Sequence, residues 1–191
     1  MIRESLINNS PGKENEFRNR GTEPGRLENF SDAVFALVIT LLLISTSPPT
    51  NFAQIKHFVY ELLPFLICIA LIIVIWKEHY TFFLRYGLRD GRMIVLNTLF
   101  LIIVLFYVYP LKFLTRLILI PIAYLTDNQT MFDTFTGMIA GQDIGDLMII
   151  YGTGAACVFF VLMMMYRYAL KQAKMLALND VEIFDTKVSI R

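Results

Sequence analysis

From Leu62 to Trp76 the chain runs through Leu, Phe, Ile, Cys, Ala, Val and Trp without one charged side chain, interrupted only by Pro64. Such a stretch can satisfy its backbone away from water only as a helix, and crossing about 30 Å of hydrocarbon takes about 20 residues. Extended back to about Phe58, this run has that length. Similar runs extend from about Phe30 to Ile44, from about Met93 to Tyr109 and from about Leu147 to Tyr166. The expected fold class is therefore an all-α integral membrane protein with about four transmembrane helices per subunit. Charged residues make up 17% of the 191-residue chain, below the roughly 25% of a soluble domain.

One stretch leaves two readings open. Leu111 to Leu125 is apolar but contains Lys112, Arg116 and Pro121. Its length suits an interfacial or re-entrant helix better than a full span, and the alternative is that it continues the third span past a kink at Pro110. Residues 126–142 read as a polar loop with Gly137 and Gly141. Gly152 and Ala156 form a small-x-x-x-small step that predicts close helix packing in the fourth span.

Lys and Arg in the short loops set the expected orientation. Arg3, Lys13, Arg18, Arg20 and Arg26 precede the first span. Lys77, Arg85, Arg89 and Arg92 lie between the second and third, and Arg167, Lys171, Lys174, Lys187 and Arg191 follow the fourth. Four spans with both ends in the cytoplasm satisfy this pattern. The expected organisation is a flexible cytoplasmic tail over 1–25, a membrane domain over 26–170 and a cytoplasmic tail over 171–191. The location is the inner (plasma) membrane, crossed several times.

The function classes that remain are few. The net charge of +1 says nothing about nucleic acid, but no basic patch mixed with aromatics appears outside the membrane flanks, so no nucleic-acid partner is expected. No phosphate loop, His-Glu-x-x-His or nucleophile elbow is present, so no enzyme is expected, and no cofactor or structural metal. Cys68 and Cys157 sit in apolar runs and read as small buried hydrophobes. His57 reads as solvated in the first loop. Asp127, Asp133, Asp143 and Asp146 read either as loop polarity with a helix cap or as a negative mouth that gathers cations.

Chemistry concentrates at residues 26–44. Arg26, Ser31 and Asp32 lead directly into an apolar helix, where unpartnered polar groups are costly. Candidate partners are Trp76, His79 and Asn97, the last of which should face protein rather than lipid. Leu37, Thr40, Leu41 and Ile44 fall at i, i+3, i+4 and i+7, on one helical face. That face either packs on a neighbouring helix or lines a pore. The Thr-Val-Gly-Tyr-Gly filter is absent, so any selectivity must arise by other means.

Arg26-Leu-Glu-Asn-Phe30-Ser31-Asp32 resembles the Arg-x-x-x-Phe-Ser-Asp motif of the transmembrane protein 175 family, the endolysosomal and bacterial potassium channels. Ala-Val-Phe-Ala-Leu-Val-Ile-Thr-Leu after it resembles the family's first helix. Trp76, His79, Asn97 and Pro110 sit where the family places similar residues. The resemblance implies a homotetramer in the membrane lipid, with the first helix lining a potassium-selective leak pore. It implies apolar constrictions at Leu37, Leu41 and Ile44, and selectivity at Thr40, near which potassium would pass transiently. Bacterial members usually carry six spans, where four are evident here. The rival reading is a small proton-coupled cation transporter using Glu61 and His79.

Overall fold

The computed structural model describes residues 17–44, 50–126, 131–132 and 144–190. The side chains of Ile44, Lys56, His57 and Lys112 lie outside the described set, as do Asp127, Asp133, Asp143 and the Gly137–Gly141 segment. The described chain folds as α1 (Arg26–Ile44), α2 (Phe52–Tyr86), α3 (Gly91–Leu125), α4 (Ile144–Lys171) and α5 (Asp180–Ser189). Among the described residues, three helical stretches are long and apolar enough to cross a membrane: Phe58–Tyr86, Gly91–Leu125 and Ile144–Lys171. The expected helical membrane architecture is thus present. α1 is shorter, at 19 residues, and carries Arg26, Glu28 and Asp32 near its start.

Each helix end has a local cause. The Asn51 side chain caps α2 by accepting from the Gln54 amide at 2.9 Å. Gly87, at φ 58°, closes α2 by returning its N–H to the Phe83 carbonyl at 2.8 Å. A glycine is needed at that left-handed turn, because the conformation is costly for a side chain. Asp90 then caps α3 through the Arg92 amide.

At 35 residues, α2 and α3 are each about 52 Å long and extend beyond the hydrocarbon layer. α3 is central and packs on α1, α2 and α4. Its Phe100, Val104 and Val108 meet Phe35 and Val38 of α1, Ile72 of α2 and Val158 of α4 in one continuous core.

Residues 111–125 form no separate interfacial or re-entrant element; they continue α3 through Pro110 and Pro121. Leu111, Thr115, Leu119 and Ala123 recur every four residues on its buried face. The charge that argued against burial is answered from α2, where Glu61 accepts a hydrogen bond from Arg116 inside the protein. Beside this pair, the Thr115 hydroxyl and Cys68 thiol are 3.3 Å apart.

The close approach on α4 is made by Gly154 rather than by Gly152. A Cβ at Gly154 would enter the Tyr107 ring, whereas Gly152 meets nothing within 4 Å among the described residues. Cys68 is buried as expected, but Cys157 is exposed. Asp146 sits in the first turn of α4, where a negative charge favours the helix dipole.

The segments expected as tails contain ordered structure. Residues 17–25 form a strap whose Gly21 amide donates to the Leu84 carbonyl at 2.9 Å. After α4, the chain turns and forms α5, started by a reciprocal capping box between Asn179 and Glu182. Glu182 is fully buried and takes hydrogen bonds from the Arg18 amide at 2.9 Å and from Arg20 at 2.7 and 3.0 Å. Tyr86 and Thr186 join α2 to α5 through their hydroxyls, 2.7 Å apart.

Burial opposes ionisation of Glu182. Hydrogen bonds from Arg20, the Asn179 amide and Arg18 outweigh it and hold the pKa at about 2. The clamp's contribution is therefore full above about pH 4.5 and is lost as pH falls toward about 2. Acidification through that window should release α5, seen as loss of near-ultraviolet tyrosine ellipticity from Tyr86 and Tyr166. At neutral pH, Glu182→Gln should cost about 1–3 kcal/mol and raise amide exchange across 180–189.

Candidate ion pathway along the first helix

α1 presents two faces with opposite fates. Ser31, Phe35, Val38 and Leu42 recur at helical spacing and are buried against the bundle. On the other side, Phe30, Ala33, Ala36, Leu37, Thr40 and Leu43 are exposed in the protomer, Leu37 at 49%. Leu41 is half-buried at the boundary between the faces. The Thr40 hydroxyl donates to the Ala36 carbonyl at 2.9 Å, which leaves its oxygen as an acceptor on the exposed side.

The inner face is fixed by a buried polar chain. Ser31 donates to the Leu27 carbonyl at 2.8 Å and accepts from the Asn97 side-chain amide at 2.9 Å. The Asn97 carbonyl oxygen lies 2.7 Å from His79 Nε2, so that nitrogen carries the proton and donates. Ser31 and Asn97 are fully buried and His79 is 2% exposed. The imidazole stacks on Phe100 at 5.2 Å and is flanked by Phe83 and Phe35. Near the surface, the Trp76 indole donates to Asp32 at 2.8 Å, and its ring stacks on Tyr80.

Three helices thus meet at the start of α1, which contributes Ser31 and Asp32, α2 Trp76 and His79, and α3 Asn97. A cavity of about 130 Å³ lies alongside, with Glu28, Asp32 and His79 in its lining. Among the described residues no group of His, Cys, Asp and Glu could hold a metal ion. Arg26 and Phe30 are exposed, and the Arg26 side chain makes no hydrogen bond or ion pair among the described residues.

A model of the family described as "Endosomal/lysosomal potassium channel TMEM175" matches residues 26–107, which contain every member of this network. A potassium channel of Marivirga tractuosa is 47% identical over 175 residues, covering 91% of this chain and 70% of the relative. The chain belongs to the TMEM175 family. A crystal structure of a variant of the potassium channel MtTMEM175, in complex with a nanobody–MBP fusion protein, superposes with a TM-score of 0.83. It shares 46% identity, over 92% of this chain and 75% of that one. A potassium channel of Chamaesiphon minutus is 33% identical over 108 residues, 52% of this chain and 53% of its own length.

In this TMEM175 chain some of the support around α1 is invisible to motif reading. Arg89 donates to Glu28 at 2.9 Å and also to the Glu23 carbonyl, tying the strap and the first turn of α1 to the α2–α3 turn. Glu28 in turn accepts from the Gly25 amide at 3.0 Å. Arg89 lies 61 positions from Glu28, and its only sequence signal was as one of several orienting charges.

Replacing Asn97 by Leu should strand the His79 donor in the interior and remove one of the two hydrogen bonds of Ser31, at about 1–3 kcal/mol. Trp76→Phe removes a more exposed bond and should cost about 1 kcal/mol or less. Thermal unfolding of the purified protein in detergent measures both. An Asn97→Leu variant no less stable than Thr98→Leu, at the exposed neighbouring position, would contradict the network's role.

Proposed function

We propose that this chain is one subunit of a homotetrameric, potassium-selective leak channel, with α1 of each subunit lining the pore. The carrying observation is the division of α1. Its motif end is bolted to α2 and α3, while Leu37 and Thr40 are exposed on the opposite face among the described residues. Ala33 and Ala36 on the same face allow close approach of neighbouring helices. The named function of the relatives supports potassium as the permeant ion.

In this reading, rings of Leu37 form a narrow apolar girdle, with Leu41 and Ile44 as further apolar layers. Water is excluded there, so an ion that dehydrates more cheaply passes more readily. The free lone pairs of Thr40 face the same path and offer oxygen contacts to the partly dehydrated cation. Arg26, Phe30, Ser31 and Asp32 act at the helix end, where Ser31 and Asp32, with Trp76, His79 and Asn97, hold α1 upright. No residue is assigned a catalytic role, and no cofactor is required.

The arrangement of basic residues supports an orientation. The strap, the α2–α3 turn and the end of α4 meet at one end, bringing Arg20, Arg85, Arg89 and Arg167 together on one side. That side is assigned to the cytoplasm of a plasma-membrane protein, with both termini there. The transporter reading has less support, because Glu61 pairs with Arg116 and lies about 27 Å along α2 from His79.

Potassium flux from liposomes containing the purified protein tests the assignment. Leu37→Ala should raise leak several-fold, and Thr40→Ala should reduce discrimination of potassium over sodium. Unchanged flux and selectivity in both variants would overturn it.

A further inference from the structure

At the basic end of the bundle, a cleft of about 330 Å³ lies along α4 beside Leu96 of α3. Leu96, Phe160, Met163 and Met164 line its apolar part, and Arg167, Tyr168 and Lys171 line the rest. On α4 these residues follow i, i+3, i+4, i+7, i+8 and i+11, so one helical face passes from apolar to cationic along its length. Arg167 and Lys171 are exposed, one helical turn apart, and neither makes an ion pair among the described residues. Beside Tyr168, the Asp90 carboxylate is occupied by the Tyr168 hydroxyl at 2.6 Å and the Arg92 amide at 3.2 Å. That bond holds the Tyr168 ring at the cleft wall.

We propose that this cleft binds an anionic phospholipid of the cytoplasmic leaflet. The phosphate bridges Arg167 and Lys171, and an acyl chain follows the apolar floor into the bilayer. The order of chemistry along α4 carries the assignment. A span that ends in two unpaired cations above an open apolar groove matches a lipid's charged head and apolar tail in sequence and in depth. A free phosphate would use the rim alone and leave the groove bare. A zwitterionic lipid would fill the groove but gain little from the two cations.

Native mass spectrometry of the full chain in detergent, titrated with dioleoyl phosphatidylglycerol or dioleoyl phosphatidylcholine, tests this. Phosphatidylglycerol should be retained in preference. Removing both charges with Arg167→Gln and Lys171→Gln should weaken its binding about thirty-fold, at about five-fold per basic residue. Met164→Trp keeps the charges but fills the groove, and should also weaken binding. Lys187→Gln, an exposed charge on α5, should leave it unchanged. Equal retention of the two lipids would overturn the proposal. So would a double variant that binds as well as Lys187→Gln. Displacement of phosphatidylglycerol by millimolar inorganic phosphate, with Met164→Trp silent, would instead make the cleft a free-anion site and overturn the lipid assignment.

Discussion

The buried chain from Ser31 through Asn97 to His79 is the constraint on which the architecture depends. Each group in it is cut off from water, and each finds its partner on a different helix. An unmatched donor in that position costs more than a satisfied pair contributes, so the chain acts chiefly by excluding other arrangements of the three helices. A rotation of α1 that turned Ser31 away would strand Asn97 and disturb His79. Apolar packing alone would not impose this, because a Leu- and Ile-rich helix fits against its neighbours in many rotations.

Fixing one face of α1 determines what the opposite face can be. Once Ser31, Phe35, Val38 and Leu42 point into the bundle, Leu37 and Thr40 point away from it. The strap over 17–25 and the Arg89–Glu28 pair brace the same end from below, and α5 braces the strap through Glu182. The connection from the C-terminal helix to the first helix is therefore a continuous set of hydrogen bonds at the basic end of the molecule.

Much of this was legible in the sequence, for a clear physical reason. Polar residues inside apolar runs are expensive, so Ser31, Asp32, Trp76, His79 and Asn97 stood out as groups in need of partners, and the helical period separated the faces of α1. What escaped reading depended on contacts between distant residues. Arg116 made residues 111–125 look interfacial because nothing nearby announced that Glu61, 55 positions earlier, would pair with it. Spacing singled out Gly152, which has Ala156 four residues on, and only the position of Tyr107 on another helix reveals that Gly154 lies in the contact. α5 reads as a short polar tail until Arg18 and Arg20, more than 150 positions away, are seen to bury Glu182.

Cysteine accessibility along α1 measures the central claim most directly, in a background with exposed Cys157 replaced by Ser and buried Cys68 retained. Single cysteines at 33, 37 and 40, and at 35, 38 and 42, would be treated with a small water-soluble thiol reagent during potassium flux. Block confined to 33, 37 and 40 is the predicted result, since those side chains would stand in the aqueous path. Block at 35, 38 and 42 with the first set silent would place the ions on the other side of the helix and contradict the account.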